Sequence, residues 1–133
     1  MGMSKVRVLI QRAAEDLELA RRYERLKEYA TAAILYNKAI EKALRAMVIS
    51  RTRKEPPAEA SIEYLSGRTV VPTDVVDEIR ALQEEEMELI DAEGNPDNED
   101  YGMSISERVR TRVSRLGGIS RRLMDYAIAY SKA

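Results

Sequence analysis

Residues 29–57 read YATAAILYNKAIEKALRAMVISRTRKEPP, and this stretch decides the architecture. Tyr29, Ala32, Ala33, Leu35, Tyr36, Ala39, Ile40, Ala43, Leu44, Ala46 and Met47 recur at three- and four-residue spacing. At ~100° per residue they cover about half of a helix circumference. Thr31, Asn37, Lys38, Glu41, Lys42 and Arg45 fill the opposite arc. So wide an apolar stripe belongs to a helix with neighbours on several sides, and its alanines permit close approach. Pro56 and Pro57 end the segment, because proline lacks an amide donor and disfavours a helical predecessor.

The flanks are helical as well. Residues 4–26 place Val6, Leu9, Ile10, Ala13, Leu17 and Ala20 on one face. Val8, Leu19 and Leu26 project nearly opposite, with Tyr23 between the two sets. A second apolar strip predicts a second neighbour, and another subunit fits it. Residues 61–66 (SIEYLS) read as one short helical turn stopped by Gly67. A third long helix follows Pro72, with Thr73 or Asp74 as N-cap and Val75, Ile79, Leu82, Leu89 and Ile90 as its buried side. The loop EGNPDNEDYG then interrupts, with Gly94, Pro96 and Gly102 as breakers and Tyr101 as a loop anchor. The last helix opens on a Ser104–Glu107 capping box and carries Ile105, Val109, Val113, Leu116, Ile119, Leu123, Ala127 and Tyr130 in phase. That phase survives Gly117-Gly118, so one helix carries the pair, which predicts a kink or a close contact. The expected fold is all-α: an antiparallel four-to-five-helix up-and-down bundle, a single domain over residues 1–133.

Composition narrows the chemistry. With 133 residues, 44 % apolar and 34 % charged, the chain suits one soluble domain. No apolar run approaches the ~20 residues of a bilayer span. The start shows no signal-peptide apolar region, so the cytoplasm is the expected location and no membrane partner is expected. Cysteine and histidine are both absent. Disulfides, thiolate chemistry and the usual zinc or di-iron ligands go with them, leaving only carboxylate sites for hard metals. Low Gln, Asn and Cys with abundant Arg, Lys and Glu resembles thermophile usage. The net charge of −1 hides segregation. Twelve acidic residues stand against Arg80 alone between Asp74 and Asp100, whereas seven basic residues face two acidic ones from Met103 onward.

The central helix and its flanks resemble the HEPN family of compact helical bundles, which are often dimeric. Tyr29, Ala32, Ala39, Ile40, Glu41, Lys42, Ala43, Leu44 and Ala46, followed by Pro56 and Pro57, carry the likeness. An archaeal subset, the PaREP1-type proteins, looks similar too. The resemblance implies one of three activities: a metal-independent ribonuclease with an Arg-x4–6-His motif, nucleotide binding, or pairing with a small nucleotidyltransferase. Arg108 and Arg110 lie where the motif's arginine belongs, but its histidine is missing, and Ser61 stands where many members carry another. An imidazole is needed to handle the 2′-hydroxyl proton, and an always-charged arginine cannot replace it. The expectation is therefore a non-enzymatic dimeric module with no catalytic residue, cofactor or metal. The same segment also looks like half a tetratricopeptide repeat or a microtubule-interacting-and-transport core. Both imply a protein-binding scaffold, but no 34-residue period recurs and a three-helix domain leaves the last helix unexplained.

On the last helix Arg108, Arg115 and Arg122 fall on one line with Tyr126 a turn further on, while Arg112 sits at the core boundary. One reading is a phosphate-tracking stripe for a nucleotide or RNA. The other is ion pairing with the acidic third helix. Arg110 and Arg121 occupy the opposite flank. Glu85, Glu88 and Asp91, with Glu84 beside them, space like the Mg²⁺ ligands of all-α nucleotide pyrophosphohydrolases, yet the last helix offers only Glu107 and Asp125 as partners. A solvated charge run is the plainer account. For a homodimer, the candidate contacts are Val8, Leu19, Leu26, Gly117 and Gly118.

Overall fold

The structure is a computed structural model that describes residues 2–93 and 101–131, with side chains for residues 4–86 and 107–131. The chain begins with a helical hairpin, α1 (Gly2–Arg25) and α2 (Tyr29–Thr52). Its turn is closed by Lys27 in the left-handed region, φ 61°. The Glu28 amide donates to the Tyr23 carbonyl at 2.9 Å and the Lys27 amide to that of Glu24 at 3.0 Å. This reciprocal pair satisfies carbonyls that a helix end otherwise leaves open. Across the hairpin Tyr36 meets Glu24, Lys42 meets Asp16 and Glu55 meets Lys5. Each step forward on α2 is matched by a step back on α1, so the two helices run antiparallel.

Arg53, also left-handed at φ 62°, stops α2 by donating its amide to the Ile49 carbonyl, three residues ahead of the double proline. Next comes α3 (Ile62–Ser66), where the Ser61 hydroxyl accepts the Tyr64 amide at 3.0 Å. The expected short turn and its cap are both present. In α4 (Thr73–Glu93), Thr73 is already the first helical residue. The Pro72 carbonyl accepts the Val75 and Val76 amides, so neither Thr73 nor Asp74 caps this helix as expected. A second correction concerns α5 (Tyr101–Ser131), which starts three residues before the capping box. Ser104 therefore lies inside its first turn and Gly102 is helical, not a breaker. The helix continues without interruption through Gly117-Gly118. The side chains of Glu88, Leu89, Ile90, Asp91 and Tyr101 lie outside the described set.

Packing sets the cross-section. α2 touches α1, α3 and α5, and α4 rests on α5 and α3. Asp74 meets Arg122 while Glu85 meets Arg108, so α4 and α5 are antiparallel. On α2 and α5, Tyr36 lies at Gly117 and Ser120, and Met47 shares a recess with Tyr130. These two helices run parallel, and α1 and α4 run against them. Ten α2 residues are buried, among them Tyr36, Ile40 and Leu44. Leu82, Leu116, Ile119 and Leu123 complete the core from α4 and α5. Each such aliphatic side chain contributes about 1.5–3 kcal/mol on burial. The chain is an all-α bundle, with five helices and no strand among the described residues. None of these helices is long and apolar enough to cross a membrane.

Candidate functional site

The predicted arginine stripe faces α4. Arg122 lies 3.6 Å from Asp74, and Arg115 lies 3.7 Å from Glu78 and 3.5 Å from Glu85. Arg108 reaches Glu85 at 4.0 Å. Arg112 is the buried member, its side chain 6 % exposed. Its Nε donates to the Leu82 carbonyl at 3.1 Å, and its Nη2 sits 3.5 Å from the Glu86 carboxylate without a hydrogen bond. Tyr126 stacks on Tyr130 with ring centroids 6.4 Å apart, and Tyr126 first, then Asp74, pushes the Arg122 guanidinium upward. The structure brings the five stripe residues together, and it hands the arginines to the acidic helix. The half-exposed pairs among them are individually weak and screened by salt.

The opposite flank of α5 opens onto a cleft of about 580 Å³, within the ~300–1,000 Å³ of ligand sites. Its α1 wall carries Arg21, Glu24 and Arg25. Arg110, Ser114 and Arg121 come from α5, and Tyr29 and Tyr36 from α2. Four arginines and one carboxylate thus line the same cleft. None of the four makes an ion pair among the described residues, and the Arg21 Nε is buried with no hydrogen-bond partner. Arg110 and Arg121 are eleven residues apart, about 16 Å along the helix at ~1.5 Å per residue.

Close helix contact builds the floor. Tyr36 is 1 % exposed, and a Cβ added at Gly117 would stand 3.0 Å from its ring. Glycine at 117 is therefore a clearance for Tyr36, which accounts for half of the glycine pair. A Cβ on Gly118 meets nothing within 4 Å, leaving bare helix surface beside the arginines. The Tyr36 hydroxyl donates to Glu24 Oε1 at 2.6 Å. Burial first, and then this bond to a carboxylate, raises the phenol's pKa well above its ordinary value. It stays a proton donor at any physiological pH.

A family model described as HEPN domain matches residues 6–115. The chain belongs to the HEPN domain family. No curated protein and no solved structure matches it. The HEPN match runs from Val6 on α1 to Arg115 on α5, so it includes Arg21, Glu24, Arg25 and Arg110 of the cleft. It also settles the choice among look-alikes of α2 in favour of the HEPN bundle over the repeat and trafficking scaffolds.

Of the expected dimer contacts, Val8, Leu19 and Leu26 are 45 %, 38 % and 65 % exposed and uncovered by the chain itself. Gly117 is taken up by Tyr36. Glu85 is held by Arg108 and Arg115, and among the described residues no group of Asp or Glu has metal-binding proximity. In the sequence Arg110 and Arg121 are visible as the far flank of α5, whereas Arg21, Glu24 and Arg25 do not stand out. The signal was the spacing of those three on α1, three and one residues apart beside the core positions Leu17 and Ala20.

Proposed function

We propose that this HEPN-family protein is a non-nucleolytic binding module that takes the phosphates of a nucleotide or RNA in the four-arginine cleft. One observation carries the reading: Arg21, Arg25, Arg110 and Arg121 line one cleft without ion-pair partners among the described residues, whereas the arginines facing α4 are paired. Guanidinium groups bind phosphate through charge-assisted and often bidentate hydrogen bonds. Tyr29 at the rim offers a ring for a base to stack on. The sequence has no histidine for general acid–base cleavage of RNA, which supports binding without hydrolysis.

The test combines two assays on a fluorescein-labelled single-stranded RNA. Anisotropy should show binding that weakens steeply with salt, and gel electrophoresis should show the RNA intact after prolonged incubation. Salt-independent binding contradicts the phosphate reading, and cleavage products contradict the non-nucleolytic one.

A homodimer through α1 is the second part of the proposal. It is supported by the uncovered Val8, Leu19 and Leu26 and by the dimeric habit of the family. Light scattering should give twice the chain mass, and Leu19→Glu with Leu26→Glu should halve it. A wild-type monomer at high concentration contradicts it. Pairing with a small nucleotidyltransferase rests on family resemblance alone.

A further inference from the structure

The cleft is not built as a simple anion site, because a carboxylate lines it together with the arginines. Glu24 shares the cleft lining with four arginines, yet among the described residues it makes no ion pair with any of them. Arg21, one turn earlier on α1, still has a buried Nε without a partner. Glu24 is held instead by the Tyr36 hydroxyl at 2.6 Å. Tyr36 cannot swing aside, since it is 1 % exposed and its ring is pressed toward Gly117. An ionised carboxylate offers about four acceptor sites, and Tyr36 uses one. The carboxylate charge repels the phosphates of any ligand taken into the cleft. A repulsive group fixed in place discriminates between ligands more than it adds affinity.

We infer that Glu24 is the specificity-determining residue of the cleft, accepting a hydrogen bond from the exocyclic amine of a nucleobase while the arginines hold the phosphates. The cleft then prefers cytosine nucleotides to uracil nucleotides. Carboxylates accept from the cytosine N4 amine, whereas uracil presents its O4 acceptor at the same place and sets acceptor against acceptor. Tyr36 is a positioning residue that fixes the direction of the remaining lone pairs. This inference rests on the phosphate reading of the cleft.

Calorimetric titration of pyrophosphate, CDP and UDP tests it. Wild-type protein should bind CDP about tenfold more tightly than UDP. Glu24→Leu should bind CDP and UDP equally, and pyrophosphate at least as tightly as wild type, which also shows that the cleft is folded. Tyr36→Phe should narrow the CDP preference while leaving pyrophosphate affinity unchanged, a result that a merely structural role for Tyr36 would not give. Pyrophosphate binding with equal CDP and UDP affinities in the wild type overturns the inference and leaves the phosphate reading standing. So does a Glu24→Leu variant that keeps the preference. A wild-type protein that binds none of the three overturns the inference, and the salt-dependent RNA binding above then decides the phosphate reading separately.

Discussion

Gly117 and Gly118 are neighbours in sequence with opposite roles. Alanine in a helix is favoured over glycine by about 1 kcal/mol, so each position forgoes that much unless something else needs the space. At Gly117 the need is Tyr36, whose ring atoms lie 3.0 Å from an added Cβ. At Gly118 nothing stands within 4 Å. Thermal melts should therefore show Gly118→Ala raising stability by about 1 kcal/mol, and Gly117→Ala giving no gain or a loss. Equal gains at both would mean that Tyr36 yields freely, contrary to its packing. Tyr36 also predicts a pH effect. Its proton is held in the folded chain to a higher pH than in the unfolded chain, where the phenol titrates near 10. Above that value the unfolded state releases a proton that the folded state keeps, so stability falls as pH rises. The contribution is fully present below about pH 10 and is lost as pH climbs toward the folded-state value. In urea melts between pH 9 and 11, Tyr36→Phe should show a shallower decline than wild type, and identical slopes would contradict this.

Helix α4 is held to α5 by two kinds of contact that differ in worth. Val75, Ile79 and Leu82 are buried, and truncating Leu82 to Ala should cost about 2–5 kcal/mol in urea denaturation. Arg112 is buried too, but one of its nitrogens has no hydrogen-bond acceptor and its carboxylate partner Glu86 is 43 % exposed. Replacing such a guanidinium by an apolar side chain of similar length removes a desolvation penalty and leaves Glu86 to water. Arg112→Met should then stay within about 1 kcal/mol of wild type or be more stable. A loss as large as that of Leu82→Ala would show that the ion pair, not the apolar contact, docks α4. At this scale the sequence was largely legible. The wide stripe of α2 marked it as central, and the acidic run of α4 against the basic run of α5 announced their pairing. The start of α5 was not legible, because a capping box is a local preference and the helix extends past it to Tyr101. The end of α2 was legible, because the double proline announces a stop and the helix ends at Thr52, with Arg53 in a left-handed conformation that glycine usually supplies.

The cleft belongs to the whole molecule. Tyr36 and Glu24 are twelve residues apart, and Arg110 is farther still, so only the register of the hairpin and the parallel contact of α2 with α5 bring them together. Periodicity places a residue on a face of its own helix, but the rotation of each helix against its neighbours is set by packing. That is why the arginines of α5 were readable as two flanks while the choice between them was not. The bundle assigns one flank to α4 and leaves the other open beside Arg21 and Arg25 on α1. The most direct measurement compares two paired variants for binding a labelled single-stranded RNA at low salt. Arg21→Gln with Arg121→Gln removes guanidinium groups from the cleft, whereas Arg115→Gln with Arg122→Gln removes them from the α4 interface. The account predicts that the first pair weakens binding by tenfold or more, as expected for lost charge-assisted contacts, while the second changes it little. The reverse order would contradict it and return the binding surface to the stripe.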